Sequence, residues 1–341
     1  MALLVFGSPE VRQAYVAVMR LVATANGTRP FDGPRAELVR KFAGLQACGG
    51  CHGFARSLDF SALLGEANPW PNEQAALADI RRGLVSEKDR LEALHAGQLV
   101  AMFSPEADPV AIQAARWMAS ALGCDDALGA SLEAIASRNA AAAKADLFRR
   151  CLSERVGIKR EIIDAHMDRH DLSAIGRPAN IERFHTLIAE APEGSLGAEM
   201  RNFYRDANFE VPGMPGSPLP VEFLGSHDVH HVLAGYDTSP QGEVYTAVFN
   251  AANASAGIGW LAVVLLQWHQ GVKLGVFEPV HSHLEPEMMA AAASRGAQTK
   301  IDIYAAKWDW LGLLMEPLAE VRAAIGIPSG GQVHLGGYWG L

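Results

Sequence analysis

Positive charge is in short supply in this chain. Its 29 lysines and arginines stand against 38 aspartates and glutamates, a formal net charge of −9. That balance argues against a nucleic-acid partner, which would want a basic stripe. No polybasic patch advertises a membrane surface either. Cysteine is rare too, with Cys48, Cys51, Cys124 and Cys151 the only four in 341 residues. The opening MALLVFGSPEV carries no positive charge before its five-residue apolar run, so it does not read as a signal peptide. The expectation is a cytoplasmic protein with reduced thiols, and peripheral attachment to the inner membrane stays open. Strand signals are scarce, and tandem repeats and low-complexity tracts are missing. A chain of 341 residues has length for about two domains.

What the chain has instead is alanine and helical periodicity. Val110, Ala114, Trp117, Met118 and Ala121 form one apolar stripe, started by Pro109 and stopped by Gly123. Residues 87–100 and 127–150 read as further helices, followed by 181–189, 197–204, 287–293 and 308–325. The Pro/Gly cluster at 211–220 reads as a structured loop rather than a linker. The fold class expected is all-α, in two helical domains joined near residues 151–157. The first, residues 1–150, has no assigned role; the second covers 155–330, and a glycine-rich irregular tail spans 329–341.

The densest chemistry lies in HDVHHVLAGYDTSPQGE, residues 227 to 243. On a helix, His227 and His231 sit at i and i+4, one turn apart on one face. Asp228 can swing to the same side. Gly235, Asp237, Thr238 and Pro240 then break the helix, and Glu243 opens the next apolar run. A chain that turns there brings Glu243 back over the pair. Two imidazoles and two carboxylates suit a divalent first-row metal: zinc foremost, or iron or manganese where carboxylates dominate. The plainer alternative is a solvated helix end. His230 adds a third imidazole, so spacing alone does not fix which histidines bind.

His227, Asp228, His231, eleven intervening residues and Glu243 resemble the signature of the coenzyme Q biosynthesis protein 4 family. EGSLG at 193–197 is similar to that family's upstream segment. SRGAQTK at 294–300 and WDWLGLLMEPLAEVRAAIGIP at 308–328 resemble its closing helices. The similarity covers roughly 155 to 330; the family is usually shorter, with nothing matching 1–150. The resemblance implies a helical bundle that binds polyprenylated quinone precursors or other isoprenoid lipids, beside other quinone-biosynthesis proteins and as a homo-oligomer. It implies replacement of a ring carboxylate by hydroxyl, with His227, Asp228, His231 and Glu243 as metal ligands and catalytic set. The alternative is a lipid-binding scaffold whose metal is structural.

No charged residue occurs from 244 to 272. The length would permit a membrane span, but Asn250, Asn253, Gln267, His269 and Gln270 would be expensive in lipid. This stretch reads as a buried helix. Ala254, Gly257, Trp260, Leu261, Val264 and Leu265 give it an apolar face, either ordinary core or the wall of a lipid pocket.

Three lesser constellations compete. Cys48-Gly-Gly-Cys51-His52 spells a haem attachment pattern, but that chemistry needs export. Residues 36 to 54 weakly resemble the alkyl hydroperoxidase D helix, with Ala55 where that family has histidine. The plainer reading is two small residues at a tight helix turn. His166, His170 and Asp171 read as a solvated charged face, and His281, His283 and Glu285 as exposed loop residues.

Overall fold

Seven of the sixteen α-helices among the described residues of the computed structural model begin where a side chain caps them. Ser8, Asn72, Ser86, Asp126, Ser195 and Ser239 each accept a hydrogen bond from a first-turn backbone N–H of the helix they precede. Such caps satisfy donors that helix geometry leaves free. Asp108 caps in the same way before Pro109, and the helix Pro109–Leu122 ends at left-handed Gly123. The structure describes residues 3–47, 58–137, 140–215, 217–274, 278–305 and 307–331. Among them are sixteen α-helices, two short 3-10 turns and no strand. The fold is all-α.

Three stretches read as single helices are broken, each for a local reason. Residues 127–150 divide into Ala127–Ala136 and Ala140–Val156, the first closed by Ser137, whose hydroxyl turns back to the Ala134 carbonyl. Residues 308–325 reduce to a turn at Leu311–Leu313 and the helix Leu318–Ile325. The reason is competition for carbonyls. Leu196 N–H donates to Glu316 O at 2.9 Å and Gly197 N–H to Leu314 O at 2.7 Å, and Pro317 has no N–H to continue a helix. The uncharged stretch folds into two helices, Pro240–Asn253 and Gly257–Trp268. Gly257 permits this tight turn, since a Cβ there would stand 2.8 Å from the Ala251 backbone.

Helix Pro240–Asn253 packs between Gly257–Trp268 and Pro286–Gln298. The last of these also packs on Gly33–Ala47, and Gly257–Trp268 on Glu87–Met102 and Ala140–Val156. Side chains from both sides of residue 150 therefore enter one continuous apolar core. Polar contacts cross the same seam. Gln270 Nε2 donates to the carbonyls of Met102 and Ser104, each at 2.9 Å. Among the described residues no helix is long and apolar enough to cross a membrane. Cys48, Cys51 and His52, and tail residues 332–341, lie outside the described residues. Residues 329–331, the described start of the tail, are irregular.

Candidate metal centre

The motif helix, Val221–Ala234, is buried along most of its length. A helix so enclosed must satisfy its last carbonyls without water. Left-handed Gly235 returns its N–H to His231 O. Two buried arginines do the rest. Arg322 donates to Leu233 O at 3.1 Å and to Val232 O at 2.6 Å, while Arg295 donates to Ala234 O at 2.6 Å. Cations at a helix C-terminus also suit its dipole. These clamps fix the turn that carries His231.

Four residues after Gly235, Ser239 caps the next helix, Pro240 occupies its first turn, and Glu243 follows at its positive end. The chain reversal brings three ligand atoms of His227, His231 and Glu243 within 4.8 Å of one another. His227 Nε2 lies 3.2 Å from Glu243 Oε2 and 3.1 Å from His231 Nε2. His231 Nε2 is 3.5 Å from the same carboxylate oxygen. His231 Nδ1 faces the carbonyls of Tyr236 and Asp237 at 3.0 and 3.1 Å, with Thr246 Oγ1 at 3.2 Å. Carbonyls only accept, so Nδ1 carries the hydrogen and the Nε2 lone pair points into the cluster.

Electrostatics separate the members of the cluster. Burial penalises the Glu243 charge, but the two imidazoles outweigh it and hold the carboxyl well below its usual range. Burial opposes protonation of His231 as well, yet Glu243 and Asp228 raise it above its ordinary value. Burial dominates at His227 and lowers it. The two imidazoles move in opposite directions beside one carboxylate, because Asp228 favours His231 and their mutual repulsion disfavours a second proton.

Asp228 stands apart from that trio. Its Oδ2 accepts from the Tyr204 hydroxyl at 2.9 Å, and burial pushes its carboxyl up to about 7. His230 faces the other way. Its Nε2 donates to Ile303 O at 3.0 Å, its Nδ1 accepts from Arg155 at 3.2 Å, and its ring stacks on Trp308. Spacing left the histidine choice open; the helix face decides it.

His227, Asp228 and Glu243 form part of the wall of a cavity of about 410 Å³, a size that suits a ligand. The remainder is largely apolar: Phe209, Pro212, Pro218, Phe223, Leu224, Trp260 and Trp268. The 211–220 loop thus contributes directly. Of the apolar stripe expected on the 254–268 stretch, Trp260 reaches the cavity, whereas Ala254, Leu261, Val264 and Leu265 are core. The other constellations hold no metal set among the described residues. His170 lies beyond the end of helix Arg160–Asp168 with φ 55°, so it does not pair with His166 on a helix face. His166 pairs with Asp171 at 2.9 Å instead. His283 and Glu285 meet 3.1 Å apart on the surface.

His227, His231 and Glu243 would hold a divalent ion, and two imidazoles with one carboxylate are a donor set that suits zinc or non-haem iron. The donor atoms converge, and the Tyr236 and Asp237 carbonyls fix the tautomer of His231. Tyr204, Thr246, Arg295 and Arg322 support the site without any signal in the motif's own spacing.

No family model matches this chain, and no curated protein matches it. Among solved structures, one match is a candidate ubiquinone biosynthesis protein of Nostoc punctiforme. It is 18% identical, covers 60% of this chain and 98% of its own, and superposes with a TM-score of 0.32. That likeness is too loose to carry an argument about activity.

Proposed function

We propose that this chain is a ubiquinone biosynthesis protein acting on a polyprenylated aromatic acid, with one divalent metal held by His227, His231 and Glu243. The reaction class is oxidative decarboxylation with hydroxylation: a ring hydroxyl drawn from dioxygen replaces the carboxylate, which leaves as carbon dioxide, and an external two-electron donor reduces the second oxygen atom to water. The observation that carries this reading is that two members of the trio, His227 and Glu243, stand in the wall of a largely apolar cavity of about 410 Å³, with His231 buried directly behind them. A polar cluster there faces a volume that suits a lipid-bearing ring. Zinc in the site supplies Lewis-acid polarisation, and iron or manganese would supply redox chemistry besides.

The chain's own groups have separable tasks. The Tyr236 and Asp237 carbonyls orient His231. Asp228 was expected as a fourth ligand; its bond to Tyr204 holds it off the trio, and we assign it to the substrate side of the cavity. Trp260, Trp268 and Phe223 exclude water and contact the lipid. Phe209, half exposed at the cavity wall, supports lipid entry from a membrane surface.

The test is conversion by the full chain. Protein loaded in turn with zinc, iron or manganese is incubated aerobically, with a reductant, with a prenylated 4-hydroxybenzoate. Mass spectrometry should show loss of the carboxylate and gain of a hydroxyl, absent in the His227→Ala, His231→Ala variant. Unchanged acid with every metal overturns the catalytic reading.

A further inference from the structure

Phe223, His227 and Trp260 line the large cavity and also a second, smaller hollow. The other walls of that hollow are polar: Arg155, Asn250 and Tyr304. Asn250 lies seven residues after Glu243 in helix Pro240–Asn253, two turns along the same face. Its side chain is fully buried, and neither its amide nitrogen nor its oxygen has a hydrogen-bond partner. The Tyr304 hydroxyl, equally enclosed, has none either. Buried polar atoms in folded proteins are nearly always paired, so two orphan donors bordering one hollow, the Asn250 amide N–H and the Tyr304 hydroxyl, call for an explanation. The hollow as it stands has no room for a water molecule, so solvent does not supply one.

Arg155 sharpens the point. Its guanidinium donates to Tyr304 O at 3.0 Å and to His230 at 3.2 Å, and it lies 4.4 Å over the Tyr304 ring. None of these hydrogen-bond partners is an anion; the Asp302 carboxylate favours the charge without pairing to it directly. Burial lowers its pKa to about 10, so it stays charged at neutral pH. A buried cation is normally paired with a carboxylate. Here a cation, a phenolic O–H and an amide N–H border one hollow, and the missing partner is negative.

We infer that Arg155, Asn250 and Tyr304 form a carboxylate subsite that takes the acid group of an aromatic ring whose lipid tail fills the larger cavity. The inference rests on the acidic, prenylated substrate proposed above. Two carboxylate oxygens offer enough lone pairs for the guanidinium, the hydroxyl and the amide together. Entry parts the Phe223 and Trp260 rings, which close the hollow beside His227. The subsite shares His227 with the metal trio, so the acid group is held beside the metal centre.

The test uses the full chain and two probes, 3-geranyl-4-hydroxybenzoate and the corresponding neutral benzamide, compared by calorimetry. The wild type should favour the acid by roughly tenfold or more, the scale of a charge-assisted hydrogen bond. Tyr304→Phe and Asn250→Leu should lose most of that preference while binding the amide as before. Because the removed groups have no partners, both variants should melt no lower than the wild type. A preference that persists in folded variants overturns the subsite, as does a lowered Tm, which would mean that the groups are paired internally. His231→Ala separates this inference from the metal reading. Preference retained there supports the subsite whatever the metal does. Preference lost there but kept in Tyr304→Phe assigns the acid to the metal and overturns the subsite alone.

Discussion

His227 Nε2 and Glu243 Oε2 lie 3.2 Å apart, although the imidazole sits in the interior of one helix and the carboxylate in the first turn of the next. The reversal between them does the work. Gly235 ends one helix in a left-handed conformation that only glycine adopts cheaply, and Ser239 with Pro240 starts the other. The cluster is thus set by the turn as much as by the motif.

Glu243→Gln should lose metal affinity while keeping the fold. The helix holding the two histidines is clamped by Arg295 and Arg322 and does not depend on Glu243. Helical content by circular dichroism should be unchanged, with at most a modest fall in Tm, and complementation of a quinone-biosynthesis defect should fail. A scaffold with a structural ion would show the opposite order: the fold loosens first, and function falls with it.

Arg322→Met should be the more damaging change to stability. Methionine fills much of the same space but leaves the Val232 and Leu233 carbonyls buried without those donors. The cost expected is roughly 2–3 kcal/mol in urea unfolding, the scale of buried unsatisfied polar groups. Wild-type stability in this variant would mean that those carbonyls find other partners.

Much of the site was legible in the sequence because it is local. An i, i+4 histidine pair, a helix break at Gly235 to Pro240 and the apolar run opened by Glu243 lie within or beside 227–243, and each has its own physical signal. What was hidden is long-range. Nothing in the spacing tells His230 from His227, since both suit a helix; only its contacts with Arg155 and the Ile303 carbonyl show that His230 lies on the other face. The split of 308–325 was equally hidden, because it depends on carbonyls taken up by Leu196 and Gly197. Two helices in the uncharged stretch were missed for a related reason. Alanine and asparagine do not break a helix by themselves, and only the close packing of Gly257 on Ala251 shows why the chain turns.

Leu224→Trp should block the lipid rather than the metal. Leu224 lies on the motif helix, lines the cavity and is partly exposed. The added ring occupies volume in the cavity without displacing core. Organic extraction of the full chain should recover less isoprenoid lipid than from the wild type, with metal content unchanged. Equal recovery from both proteins would place the lipid elsewhere or remove it from the account.

Metal content tests the central claim most directly. Full-length protein purified without added metal is analysed for zinc, iron and manganese, alongside the His227→Ala, His231→Ala variant. The account predicts close to one divalent ion per chain in the wild type, as three convergent donors suit a single ion, and almost none in the variant at similar helical content. Wild-type protein that is folded, metal-free and still able to complement a quinone-biosynthesis defect would contradict it.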